Sequence, residues 1–394
     1  MQRLLIRNVR LTETAARTET STQLHDVRVE AGRIAAVKPA GQGGPADAAF
    51  DGAGRVLLPG FVDCHTHACF AGSRLDEWQR KLAGASYLEL MAAGGGIMAT
   101  VRATRAASEI ELAEQLGQRL ARMLGHGSTT IEVKSGYGLD TETELKMLRA
   151  IARAAERFPG TVVATACIGH ALDPDIEHAE FVRRTVAETL PAVSEEFPGI
   201  ALDAYCETGA WTLDNCLTLF DAGQAAGHPV RVHADQFNAL GMIEAAIERG
   251  YLSVDHLEAT DADGLARLAA TEVFGVMLPA SGFHLDERYG NGRAFVDAGG
   301  RLALATNLNP GSAPCYSMAF VIQLAVRKLG LTPTEAIHAA TAVGAELLGF
   351  DDRGQIAPGL RADLALLDCK DPRELAHECG GNPVARVIVG GRWQ

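Results

Sequence analysis

Eight short β-branched runs recur through the middle of this chain, and nearly every one ends on a polar side chain. In order they read VLLPGFVDCHTH, TTIEVKS, TVVATACIGH, IALDAYCE, PVRVHAD, LSVDHLE, VFGVMLPA and RLALATN. Between them lie stretches rich in Ala, Leu, Glu and Arg with helical periodicity, such as ELAEQLGQRLARMLGHG and ETELKMLRAIARAAERF. Strands alternating with helices make parallel βα units, and the eight units counted here are what a (β/α)8 barrel requires. The predicted fold class is α/β, a TIM-type barrel. Both chain ends differ from this middle. RLLIRNVRLT and DVRVEAGRIAAV near the start, and RADLALLD and ARVIVGGRW near the end, are strand-like, with turns expected at Gly32 and at Gly390-Gly391. The stretch from Val37 to Phe50, rich in Gly, Ala and Pro, reads as a loop. The two ends are expected to form one small composite β-sandwich domain, residues 1–57 plus 352–394, around a barrel of residues 58–351.

In such a barrel the strand C-termini converge on one face, where active sites sit. Histidine ends or nearly ends the first, third, fifth and sixth strands, at His65 and His67, His170, His233 and His256. Generic strand ends favour Gly, Asn, Asp and Ser, so this choice of residue points to chemistry. In His65-Thr66-His67, residues two apart share one side of a strand, and both imidazoles can meet one ion. Imidazole suits zinc, iron and nickel. His233 supplies a third ligand, and His256 is either a fourth ligand or an acid/base beside the ion. Three protein ligands plus water is the usual catalytic arrangement. A second metal would call for a bridging carboxylate or modified lysine. The fourth strand ends in Cys206-Glu207, and Lys134 on the second reads as an ion-pair partner of Glu132. The expected cofactor is therefore one zinc or iron ion per chain.

The formal net charge of −13 argues against nucleic acid as a partner, and it means that an anionic substrate would need a local cationic anchor. The first residues, MQRLLIRNVRLTET, are broken by arginines and make no signal peptide. No apolar run reaches bilayer-spanning length. The eight cysteines are scattered without a CxxC pair, as expected of reduced thiols in the cytoplasm.

The split β-domain, the segment LLPGFVDCHTH, the histidines of strands five and six, and a late GQIAPGLRADLALLD together resemble the amidohydrolase superfamily. Within it, AGSRLDEW, GASYLELMAAGGGIMATVRATR, IEVKSGYGLDTETELKMLR, HADQFNALG, DHLEATD and NLNPGS resemble the imidazolonepropionase family over nearly the whole chain. The resemblance implies hydrolysis of the cyclic amide 4-imidazolone-5-propanoate to N-formimino-glutamate, a step of histidine degradation, with metal-activated water. It implies metal ligands at His65, His67, His233 and position 307, where the family typically has aspartate and this chain has Asn307. It places substrate contacts on Arg74, Tyr87, Tyr137, His170, Gln236, Asn309, Gly311 and Ser312, and proton traffic on His256, Gln236 and position 307. The implied substrate is a small anionic heterocycle, and a homodimer is a candidate assembly. An arginine fork suits its carboxylate. Two other readings stay open at this level. One is a different cyclic amidohydrolase or an aminohydrolase, which would share the histidines but not KSGYGL or the Arg74 loop. The other is a ligand-binding barrel of low activity, since Asn307 is no useful base.

Overall fold

A computed structural model describes residues 3–12, 23–84 and 95–394 of the chain. The barrel strands are β6 (Phe61–Asp63), β7 (Ser128–Lys134), β8 (Thr161–Gly169), β9 (Ala201–Cys206), β10 (Arg231–Ala234), β11 (Ser253–His256), β12 (Phe274–Met277) and β13 (Leu302–Leu304). They are neighbours in sequence order and all pairs are parallel. Seven fall within the predicted runs, and β7 begins one residue before its run, at Ser128. The helices between them follow from their sequences. Helix Glu109–Gly125 begins at a capping box of Ser108 and Glu111, and its Leu112, Leu116, Leu120 and Met123 bury one stripe against the barrel.

The first predicted run divides in two. Val56–Pro59 is β5 and belongs to the small domain; only Phe61–Asp63 enters the barrel. The break falls at Gly60, where a Cβ would lie 2.2 Å from Thr129 Oγ1, so only glycine lets the chain pass so close to β7.

The small domain contains β1 (Leu4–Leu11), β2 (His25–Glu30), β3 (Arg33–Pro39), β4 (Ala48–Asp51), β5, β14 (Leu364–Leu367), β15 (Val384–Val389) and β16 (Arg392–Trp393). Strand β1 is shared between its two halves. Leu4–Arg7 pairs with β4, and Arg10-Leu11 pairs with β5, with a bulge between them at Asn8. Both chain ends meet where β5 pairs antiparallel with β14. Between the halves lies an apolar core of Ile6, Val9, Val27, Val29, Ile34, Leu57, Leu364 and Ile388. The expected turns stand at Ala31-Gly32 and Gly390-Gly391, both residues of each pair having positive φ. The expected loop from Val37 to Phe50 is shorter than read. Val37–Pro39 continues β3, and Ala48–Phe50 lies in β4, recruited by parallel pairing to the edge of β1.

The barrel closes beyond the ends of its first and last strands. Asn307 N–H donates to the His65 carbonyl at 3.0 Å, and His67 N–H to the Leu308 carbonyl at 2.9 Å. Below them the buried Asp63 carboxylate accepts from Thr306 N at 3.1 Å and Thr306 Oγ1 at 2.5 Å. Burial, eased by those bonds, pushes the Asp63 carboxyl up to about 7. Replacing Thr306→Val removes one of these donors and leaves a sealed carboxyl oxygen short of a partner. The expected loss of stability is ~1–3 kcal/mol, read as a lower urea midpoint at unchanged m-value; an unchanged midpoint would show that the seam does not depend on this bond.

Candidate active site

His65 and His67 follow β6 directly, His233 lies in β10 and His256 ends β11, so four imidazoles gather at the carboxyl ends of the barrel strands. All four are buried. Ring centroids of His65 and His233 are 4.5 Å apart, and those of His67 and His233 5.1 Å. Ligand nitrogens of His65, His67 and His233 all lie within 4.8 Å of one another. His256 stands further off, 5.6 Å from His233 and 6.2 Å from His65.

Buried carboxylates fix two of the ligand rings. His65 Nδ1 is 2.6 Å from Asp255 Oδ2, and His233 Nδ1 is 2.9 Å from Asp203 Oδ1. Each Nδ1–H is thereby committed, and each Nε2 carries a lone pair into the cluster. Burial, reinforced by Lys134 for His65 and by His170 for His67, pushes both imidazoles well below their ordinary range, so they are neutral. His256 Nδ1 is 3.1 Å from both oxygens of Glu258.

The residues present fit a divalent cation. His65 Nε2 and Asn307 Oδ1 are buried without any hydrogen-bond partner, and His67 Nε2 and His233 Nε2 face each other at 3.0 Å. Buried polar atoms are rarely left unpaired in native structures. A cation shared by the three histidines, whose ligand atoms lie within 4.8 Å of one another, would give His65 Nε2 the partner it lacks.

The other predicted residues surround this cluster, except Tyr87, which lies outside the described residues. His170 stacks on His67 at 4.5 Å and donates Nδ1–H to the Gly136 carbonyl at 3.0 Å. Burial, with His233 adding to it, pushes His170 down to about 3. Tyr137 is buried 5.2 Å from His170 and 6.0 Å from His67, and burial pushes its phenol up. Its position explains the KSGYGL motif. Glu144 sits on the following helix, Thr141–Ala155, and its carboxylate accepts from Gly136 N, Gly138 N and Leu139 N at 2.7–3.0 Å. At Gly136 (φ 111) a Cβ would strike the Cys167 carbonyl at 2.9 Å. Gln236 Oε1 accepts from Tyr205 OH at 2.8 Å, a bond that does not use the amide N–H groups.

Arg74 differs from a free fork. Glu77 takes its Nε at 2.6 Å and also its Nη2, and Glu77 accepts from Gly96 N at 2.8 Å. Only the outer edge of the guanidinium remains for an anion. That edge lies against the loop after β13, where a Cβ on Gly311 would come within 3.0 Å of Arg74 Nη1. Within this loop the Asn309 side chain is spent on its own backbone. It accepts from Gly311 N and Ser312 N, and donates to the Asn307 carbonyl and Ser312 Oγ, all at 2.7–2.8 Å. Asn309 therefore shapes the loop, while the Ser312 hydroxyl keeps a proton to donate.

Sequence reasoning missed the layer beneath. Lys134 Nζ bridges Glu132 at 2.7 Å, as expected, and also Asp203 at 2.8 Å; Arg231 bridges Asp255 at 2.8 Å and Glu132 at 3.4 Å. The available signal was the set of charged residues inside the strand runs themselves, Glu132, Lys134, Asp203, Arg231 and Asp255. Parallel strands buried on both faces read as apolar, so such a charge must have a buried partner.

This barrel, with buried imidazoles backed by carboxylates at its mouth, is the framework of a metal-assisted hydrolase. The chain belongs to the Amidohydrolase family, whose profile matches residues 56–394. The imidazolonepropionase of Herpetosiphon aurantiacus is 45% identical over 379 residues, covering 93% of this chain and 89% of that protein. That of Deinococcus radiodurans is 44% identical over 363 residues, covering 92% and 90%. Such identities place the chain among the imidazolonepropionases within the family. Solved structures at low identity share the fold. A 5-methylcytosine deaminase from Klebsiella pneumoniae superposes with a TM-score of 0.78 at 17% identity, covering 99% of this chain and 96% of that one. An adenosine deaminase from Xanthomonas campestris, solved with bound zinc, gives 0.72 at 18%, covering 99% and 92%.

Asp255→Asn tests the backing layer. It should lower zinc affinity by about 10–100-fold, measured by chelator competition on folded protein; unaltered affinity would mean that His65 is held by packing alone.

Proposed function

We propose that this chain hydrolyses 4-imidazolone-5-propanoate to N-formimino-glutamate, as the names of its relatives suggest, with one zinc or iron ion held by His65, His67 and His233 and touched by Asn307. The observation that carries the reading is the pair of buried, unpartnered atoms His65 Nε2 and Asn307 Oδ1, together with the facing Nε2 atoms of His67 and His233. When bound, such an ion makes water acidic enough to serve as a nucleophile near neutral pH and polarises a carbonyl. The protein's own groups supply the rest. The outer edge of Arg74 binds the propionate, with Ser312 Oγ–H beside it. The Gln236 amide donates to the ring carbonyl, and His170 Nε2 accepts a ring N–H. Tyr137 closes one side against water. His256, with Nδ1 held by Glu258, has Nε2 free to carry a proton to the leaving ring nitrogen as the C–N bond breaks. Asn307 orients but takes no proton, so the traffic is left to His256 without the base that a carboxylate at position 307 would supply.

The reading includes a cytoplasmic setting. It is supported by eight unpaired cysteines, and no helix among the described residues is long and apolar enough to cross a membrane. The direct test supplies urocanase-generated imidazolonepropionate to the metal-replete chain and follows formimino-glutamate. Absence of product would overturn the reading and favour a ligand-binding barrel.

Two variants probe the parts. Arg74→Ala should raise KM by about ten- to hundredfold, the worth of a charge-assisted hydrogen bond, while metal content stays constant; an unaltered KM would place the carboxylate elsewhere. Asn307→Asp adds an anionic ligand and a base. Metal affinity should rise, and turnover should increase about a hundredfold or more, the lower end of general-base assistance. Equal turnover in both forms would show that position 307 does not limit the reaction.

A further inference from the structure

We infer that Ser281 is a positioning residue that aims the Asn307 amide oxygen at the histidines; the inference rests on reading that cluster as a metal centre. Ser281 lies in the short helix Pro279–Leu285 that follows β12 and is 1% exposed. Its Oγ accepts from Asn307 Nδ2 at 2.7 Å. The opposite end of the same amide, Oδ1, is buried without a partner.

The backbone of Asn307 is held on both sides. Its N–H donates to the His65 carbonyl at 3.0 Å, and its carbonyl accepts from Asn309 Nδ2 at 2.7 Å. Its φ of 54° is a left-handed conformation that asparagine and aspartate tolerate better than other residues with side chains. The remaining freedom is rotation of the side-chain amide. The two ends of an amide have nearly the same shape but opposite polarity. Oxygen toward the histidines suits a cation; the NH2 group there repels one. Ser281 anchors the NH2 end and so leaves the oxygen facing inward.

A hydroxyl would also suit an aspartate at position 307. It accepts from an amide and donates to a carboxylate, so the same serine serves either residue with no change of backbone. For aspartate the orientation has little consequence, because either oxygen can face the ion.

The test compares Ser281→Ala in two backgrounds, the native chain and Asn307→Asp, by zinc titration against a chromogenic chelator and by the visible spectrum of the cobalt(II)-loaded protein. In the native background, zinc affinity should fall about twofold to tenfold, the range for one lost hydrogen bond, and the cobalt bands should shift. In the Asn307→Asp background, the loss should be smaller and the bands nearly unmoved. Equal losses in both backgrounds would assign Ser281 a packing role and overturn the inference. Unchanged affinity and spectrum in the native background would overturn it as well. A native chain that takes up neither zinc nor cobalt fails at the earlier step, removing the metal centre and the inference with it. None of these readouts uses the substrate, so loss of the hydrolytic reading alone leaves the test intact.

Discussion

Five charged side chains sealed inside the barrel set the geometry of everything above them. Glu132, Lys134, Asp203, Arg231 and Asp255 are each at most 1% exposed. Withdrawing them from water costs several kcal/mol per ion, and pairing restores only part of that. A hydrophobic layer, the usual filling of such a barrel, would be at least as stable. What the charged layer provides is direction. Asp203 and Asp255 are each held by a cation from one side, Lys134 or Arg231, and each faces a histidine Nδ1 on the other. Burial alone would lower the Lys134 ammonium, but Asp203 and Glu132 outweigh it and hold it above its ordinary value. Three carboxylates stand against two cations in this layer.

Folding and site assembly are one event at the seam of the barrel. The bonds that join the first and last strands run through His65, His67, Asn307 and Leu308, so three of the four proposed ligands are fixed by closure itself. Asp235, His256, Leu257 and Asn307 all have positive φ at the strand ends. Non-glycine residues persist there only when the surroundings over-determine them. Thr260, whose hydroxyl donates to Asp235 at 2.8 Å, and Glu258, facing His256, supply part of that determination.

The sequence carried the barrel well, because each strand pairs with its sequential neighbour and each helix carries its own periodicity. The histidines were legible for the same reason: a strand-end residue in a parallel barrel has one destination. Less legible were features that depend on partners distant in sequence. Asp255 sits beside His256 in the chain, yet it serves His65, 190 residues away. Glu77 lies three residues after Arg74, and only the fold shows that it occupies one edge of the proposed anion anchor. Asn309 was read as a ligand-facing amide. Its donors and acceptor are used inside its own turn, which no spacing rule reveals.

That turn links the two ends of the proposed substrate. Asn307 stands at one end of the loop, its N–H bonded to the His65 carbonyl, and Gly311 stands at the other, against Arg74. Four hydrogen bonds from the Asn309 side chain lock the residues between. Glu77 locks the guanidinium from behind, so neither partner must be ordered when an anion arrives, and less of the binding energy is lost to side-chain entropy. On the proposed reading, the distance from Arg74 to the histidine cluster would act as a ruler. A carboxylate on a shorter or longer arm than the site requires would hold its ring away from the cluster, and misplacement by about 1 Å can cost on the order of a hundredfold in rate. On the proposed reading, selectivity for chain length resides in this locked loop, while the histidines and the charged layer beneath them determine the chemistry.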